Sequence, residues 1–228
     1  GMQGFAPTIK IAPYNPEQSR YRKVWANAEY RAHSPGEQLA MTFLAQAKPE
    51  RDATVIDFGC GTGRGGMMLA ALGKLKVTLV DFAENCLDDD VADACMTQPN
   101  RIKFVCSDLG DTLPFNAAYG FCCDVMEHVP EPDVPKVLRN ILGSAQHVFF
   151  NISTVADEFG PMLVGAPLHL TVKPAEWWQD QLQKLGAVTH WHQTSDGGFC
   201  VYCSVWRDAA EVVKIGKINT DENTVNAQ

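Results

Sequence analysis

The sequence predicts an α/β fold: a doubly wound, seven-stranded, mostly parallel sheet with an antiparallel final strand and helices on both faces. Three observations predict it. Five short, nearly continuous apolar runs alternate with amphipathic stretches between residues 54 and 152, the pattern of parallel strands covered on both sides and linked by crossover helices. The first run passes directly into a glycine-rich turn, Gly59-Cys60-Gly61-Thr62-Gly63, that opens a helix. Two further strand-like runs close the pattern, joined by Ser195-Asp196-Gly197-Gly198, a hairpin turn signal.

Taken in order, Tyr21–Arg31 holds Trp25 and Tyr30 in a first helix. Ser34-Pro35-Gly36-Glu37 starts a second across Gln38–Ala47, with Ser as cap, Pro at the first position and Glu three residues on. Strands are expected at Thr54–Phe58, Lys76–Val80, Ile102–Val105, Tyr119–Cys123, His147–Ile152, Ala187–Trp191 and Phe199–Trp206, with helices at 63–73, 83–95 and 133–143. Glu176-Trp177-Trp178 opens a last helix, its tryptophans acting as core or interface anchors. The division this implies is a helical cover over 1–50, the sheet domain over 51–207 and a polar tail over 208–228.

Composition narrows the class. A formal net charge of −8 argues against salt-driven nucleic-acid binding. No apolar run approaches the roughly 20 residues that cross a bilayer, and no basic-then-apolar leader is present, so a cytoplasmic protein is expected. In that reducing compartment the eight cysteines are expected to pack as small hydrophobes. Cys200 and Cys203 have the C-x-x-C spacing, but residues three apart on a strand point to opposite faces, and no second such pair completes a zinc site.

The chemistry begins at Asp57-Phe58-Gly59-Cys60-Gly61-Thr62-Gly63-Arg64-Gly65-Gly66. Glycines here permit unusual backbone angles and remove Cβ atoms that would hold a ligand away. Gly61, Gly63 and Gly66 satisfy the dinucleotide pattern, yet Asp57 at the strand end would repel a pyrophosphate and attract an ammonium group. Asp81 follows the second strand, where a carboxylate can accept from both hydroxyls of a ribose. Asp108 follows the third, where it could accept from an adenine amino group. Singly, each acid reads as a solvated strand end or a helix cap. Together, at three successive strand ends in the crevice where such sheets bind ligands, they point to a bound adenosyl amino acid.

Over residues 30–206 the chain resembles the class I S-adenosylmethionine-dependent methyltransferases. Their motif D-x-G-x-G-x-G stands as Asp57–Gly63, their second-strand acid matches Asp81, and their adenine-contacting acid matches Asp108. Asp124-Val125-Met126-Glu127-His128-Val129-Pro130 is similar to the L-E-H-V-P signature of the ubiquinone-biosynthesis and related small-molecule branch. The resemblance implies a Rossmann-like methyltransferase fold. It further implies methyl transfer from S-adenosyl-L-methionine, leaving S-adenosyl-L-homocysteine, to an oxygen or nitrogen of a small-molecule acceptor. The implied cofactor site comprises Asp57, Gly59, Cys60, Gly61, Gly63, Asp81, Phe82, Asp108, Leu109 and Cys123. Arg31 either joins it, reaching the methionine carboxylate, or stands exposed on a surface helix.

His128, beside Glu127, is the candidate general base for an acceptor that must lose a proton; the alternative is a His128 that packs in the following helix beside a solvated Glu127. Asp124, Glu127 and His128 also share one face of a helical turn, similar to the E-x-x-E-H metal site of some ubiquinone-pathway and small-RNA 2′-O-methyltransferases, with His169 as a fourth candidate ligand. Most relatives with the E-H-V signature use no metal, so metal-free transfer is the expected course. Ser153–Leu168, rich in glycine, proline and small apolar residues, suits a lid, within an acceptor region over 152–178. His190 and His192, two apart on a strand, read as sheet-surface residues. Two other classes stay compatible with a glycine-loop α/β chain: an NAD-dependent oxidoreductase, against which Asp57 stands, and a non-catalytic protein that binds the cofactor.

Overall fold

The computed structural model describes residues 16–28 and 36–206. Seven strands form one sheet in the order β3-β2-β1-β4-β5-β7-β6. They are β1 (Thr54–Phe58), β2 (Lys76–Asp81), β3 (Ile102–Cys106), β4 (Ala117–Cys123), β5 (Ala145–Ser153), β6 (Val188–Thr194) and β7 (Gly198–Ser204). β1 to β5 pair in parallel, while β7 runs antiparallel between β5 and β6. This is the predicted Rossmann-like methyltransferase architecture, and the hairpin at 195–198 is where the chain reverses into the sheet.

Alternation along the strands builds two cores. Ile56, Phe58, Val148, Phe150, Val201 and Cys203 face one side, where α5 (Val134–Ser144) and α7 (Ala175–Lys184) cover them. Val55, Val77, Leu79, Phe121, Phe149 and Tyr202 face the other, covered by α2 (Gly36–Ala47), α3 (Arg64–Ala71) and α4 (Asp89–Thr97). The period of two therefore feeds both layers. Cys203 belongs to the first core and Cys200 packs against the second, as the strand geometry requires, and all eight cysteines lie outside disulfides.

Two helices depart from the sequence expectation. α1 spans Pro16–Trp25, five residues earlier than predicted at its start; Tyr30, Arg31, Ser34, Pro35 and the tail from 208 lie outside the described residues. The helix expected at 83–95 begins only at Asp89. Residues ahead of it are claimed by α1 instead: Arg22 pairs with Glu84 at 2.8 Å, and Asn85 Nδ2 donates to the Arg22 carbonyl at 3.0 Å. Tertiary contact outweighs helical periodicity there. His190 and His192 are both exposed, as expected of sheet-surface residues; His190 Nε2 and His147 Nδ1 also approach the buried Ser204 hydroxyl, at 2.7 and 2.5 Å.

Phe43 anchors α2 to the sheet. It is fully buried and meets Tyr119, Phe121 and Phe149 edge-on with ring centroids 5.8–6.0 Å apart. Replacing it by alanine removes these contacts and leaves a cavity, so Phe43→Ala should cost about 3–5 kcal/mol. A urea melt with an unchanged m-value and a lower midpoint is the expected readout.

Candidate active site

The carboxyl ends of β1, β2, β3 and β4 finish along one edge of the sheet, where a ligand crevice forms in such folds. They open on a cavity of about 730 Å³. The turn after β1 enters it with Gly59 at φ 66° and Gly61 at φ 53°, angles that glycine adopts without strain. A Cβ at Gly59 would strike Val125, and one at Gly61 would lie 2.7 Å from the Trp25 ring. The missing side chains thus make room for neighbouring protein, at two positions that also line the cavity. Gly63 departs further: its α face meets Val91 and Leu87 in the core, and it does not line the cavity.

Asp57 lines the cavity yet is 3% exposed. Burial, then the neighbouring Asp81, pushes its carboxyl up to about 8, with the Gly66 N–H acting against that rise. Asp81 accepts from the Gly61 N–H through Oδ2 and from the Ala83 N–H through Oδ1, each at 3.1 Å. Burial raises its pKa, and these backbone bonds oppose the rise. Asp108 accepts from the Gly110 N–H at 2.8 Å. Cys60, Phe82, Leu109 and Cys123 also line the cavity, so of the predicted cofactor residues only Gly63 is turned away, and Arg31 lies outside the described residues.

The segment after β4 is tighter than the predicted helical turn. Asp124 has φ 57° and accepts from Asn151 Nδ2 at 2.7 Å. Burial pushes its carboxyl up to about 6. A 3₁₀ turn over Met126–His128 follows, and its Glu127 is not solvated but fully buried. Burial, then Asp124, raises the Glu127 pKa well above the carboxylate range. The Glu127 and Ser153 N–H groups act against that rise, but among the described residues neither Glu127 oxygen has a partner in full hydrogen-bond geometry.

His169 is brought to the same point by the chain beyond β5. The Leu170 and Thr171 N–H groups donate to the Glu127 carbonyl at 2.8 and 3.0 Å. Asp157 accepts from the Gly160, Leu168 and His169 N–H groups at 2.7–3.0 Å, closing the loop that contains α6 (Phe159–Val164). His128 Nδ1 lies 3.0 Å from the Leu168 carbonyl and His169 Nδ1 lies 2.7 Å from that of Val155. A carbonyl only accepts, so each Nδ1 carries the proton and each Nε2 keeps its lone pair. Glu127, His128 and His169 offer ligand atoms within 4.8 Å of one another; Asp124 is not in that group. Burial, then His169, lowers the His128 pKa to about 4.

Among the lining residues that the sequence reading did not assign to the site are Tyr21, Trp25 and Asn151. Tyr21 of α1 packs edge-on against Phe82 and His128, at 5.2 and 5.8 Å between ring centroids. Trp25 roofs Gly61, and Asn151 lies at the end of β5. α1 therefore bridges the second and fourth strand ends. An aromatic at helical spacing from Trp25 was the only available signal for Tyr21, and it did not say what the helix covers.

Comparison with known proteins agrees with this geometry. Residues 55–146 match the family described as a methyltransferase domain. Residues 55–146 are thus similar to a methyltransferase domain, within a sheet of Rossmann-like methyltransferase architecture. Among particular proteins it is similar to a ubiquinone biosynthesis O-methyltransferase of Neisseria meningitidis serogroup C, 30% identical over 105 residues that make up 44% of each chain. The chain thus matches less than half the length of that relative. In fold it is similar to the 1,6-didemethyltoxoflavin-N1-methyltransferase of Burkholderia thailandensis, at TM-score 0.66, 14% identity and coverage of 86% and 93% of the two chains. The magnesium protoporphyrin IX methyltransferase of Synechocystis aligns at TM-score 0.61, 15% identity and coverage of 82% and 93%.

The raised Asp57 pKa makes ligand-free stability depend on pH. Its folded value of about 8 lies above the unfolded value of about 3.9, so its contribution is complete below the unfolded value and is lost as pH rises through 8. Between pH 7 and 9 the loss is on the order of 1 kcal/mol. Thermal melts of the ligand-free protein should fall across that window, and Asp57→Asn should flatten the fall.

Proposed function

We propose that the chain transfers a methyl group from S-adenosylmethionine to an oxygen or nitrogen of a small-molecule acceptor. One observation carries this reading. Among the described residues, eight carboxyl groups (Glu17, Asp57, Asp81, Asp108, Asp111, Asp124, Glu127 and Asp133) line the cavity against the single ammonium of Lys136. Such a cavity favours a cationic ligand and disfavours a pyrophosphate, which sets the NAD reading behind this one. S-adenosylmethionine fits it, with an ammonium, a sulfonium and a ribose to offer to acids, and when bound it supplies an electrophilic methyl on a neutral leaving group.

The chain's own residues then bind, align and exclude water. Asp57 faces the ammonium end, Asp81 takes the ribose hydroxyls and Asp108 the adenine edge. Trp25 and Tyr21 close over the turn and keep solvent from the transfer path. His128 is unprotonated at neutral pH and holds an acceptor lone pair at Nε2, so it can take a proton from a hydroxyl acceptor. The region over 152–178 serves as the cover of the acceptor, with Asp157 holding its two ends together.

Calorimetry tests this. S-adenosylhomocysteine should bind with micromolar affinity, and NAD should give no heat. Asp81→Ala removes one to two hydrogen bonds to a charged group and should weaken binding by about 100-fold; unchanged affinity refutes the assignment of Asp81.

A second reading is favoured by the two unpartnered oxygens of the buried Glu127. A divalent cation held by Glu127 and by Nε2 of His128 and His169 would satisfy them, ionise Glu127 and orient a hydroxylated acceptor. Manganese should then raise the melting temperature of the native protein and not of Glu127→Gln, and a chelator should abolish turnover without displacing S-adenosylhomocysteine. Full turnover in chelator would leave His128 acting alone.

A further inference from the structure

Beneath the Trp25 roof lies a second constellation, which shares Asp81 and Cys60 with the cavity and adds Cys86. Cys60 Sγ, Cys86 Sγ and an Asp81 carboxylate oxygen lie within 4.8 Å of one another. Cys60 belongs to the glycine turn and lines the cavity. Cys86 is fully buried in the loop after β2, in a small cluster with Trp25 and Ala83. Burial, then a hydrogen bond with the Cys86 thiol, then the neighbouring Asp57 and Asp81 raise the Cys60 pKa. The spot is therefore buried, bordered by acids and equipped with two sulfurs.

We propose that Cys60, Cys86 and Asp81 form a binding site for a thiophilic divalent cation such as zinc. Sulfur ligands select zinc or cadmium over magnesium or calcium, which take oxygen. Bond lengths of about 2.3 Å to sulfur and 2.0 Å to oxygen hold tetrahedral ligand atoms about 3.5–3.8 Å apart. Binding thus draws the three atoms together by about 1 Å, within reach of side-chain rotation. On binding, the cation forms two metal–sulfur bonds and one metal–oxygen bond, and the two thiol protons pass to solvent; nothing is oxidised or reduced. The Gly61 and Ala83 N–H groups already orient the Asp81 carboxylate, the support that metal ligands ordinarily require.

The site overlaps the cavity through Cys60 and Asp81, so an occupying cation competes with the nucleoside. This regulatory part rests on the function proposed above, because Asp81 is there assigned to the ribose.

The test is a cadmium titration of the reduced full-length protein, followed by the ultraviolet thiolate-to-cadmium absorption band. A saturable band is expected, lost in Cys60→Ser and Cys86→Ser and kept in Cys106→Ser and Cys200→Ser. Absence of the band in the native protein, or its persistence in Cys86→Ser, overturns the site. Cys86→Ser replaces one small side chain by another away from the cavity lining, and retained S-adenosylhomocysteine binding reports that it is folded. Zinc at about ten times its own dissociation constant should weaken S-adenosylhomocysteine binding about tenfold in the native protein by mass action, and leave Cys86→Ser unaffected. Equal weakening in both proteins overturns the competition, pointing to zinc held elsewhere. If S-adenosylhomocysteine fails to bind without metal, the proposed function falls while the cadmium result stands; if it binds and the band is absent, this inference alone falls.

Discussion

Like charge held out of water is the constraint on which the rest of this structure depends. Asp57, Asp81 and Glu127 are buried at one sheet edge beside the half-buried Asp124, and burial raises the pKa of each. Among the described residues, partial relief comes from the N–H groups of Gly61, Gly66, Phe82, Ala83, Glu127 and Ser153 and from Asn151 and His169. An arrangement in which carboxyl groups stay poorly compensated is costly, and it is sustained where a ligand brings the opposite charge. The site is thus built for a cation before any particular cation is named.

The sheet is what concentrates those acids. Parallel pairing sets Asp57 beside Leu79 and Phe121 and Asp81 beside Cys106, so successive strands finish level and turn out of the sheet at one edge. Antiparallel neighbours would have sent alternate ends to opposite edges. The one reversal, at β7, lies beyond β5, outside the strands that carry the acids, and places Cys200 Sγ 2.9 Å from the Asn151 carbonyl oxygen. The position of the antiparallel strand therefore supports the fourth and fifth strand ends without interrupting the row.

The five parallel strands, and the edge on which their acids gather, were legible because a strand covered on both faces is apolar along most of its length, while β6 and β7 were legible from the hairpin signal between them. Helix limits were less so. The stretch 83–88 has a helical pattern, yet α1 recruits Glu84 and Asn85 into contacts 62 and 63 residues away in sequence, which no local pattern encodes. The acid–His spacing at 124–128 brought attention to the right segment but with the wrong geometry. A positive φ at Asp124 breaks the helical face, and His169 arrives by way of backbone bonds between residues 168–171 and the turn. The glycines carry a part that the sequence does not show: residue type says that a Cβ is missing, but only packing shows that Val125 and Trp25 lie against Gly59 and Gly61.

The environment of Glu127 and His128 gives the two residues opposite protonation preferences from one cause. Desolvation disfavours charge on either, so the carboxyl keeps its proton and the imidazole sheds one. A neutral Glu127 cannot strengthen His128 as a base, and with Nε2 3.9 Å from Oε1 the two do not form the close pair that would do so. Base strength at His128 must then come from something that reverses the preference of Glu127. A cation between Glu127, His128 and His169 would do this by ionising the acid, but it would also consume the lone pair that the base needs. Proton removal by His128 and cation binding at this turn are therefore mutually exclusive roles for the same Nε2.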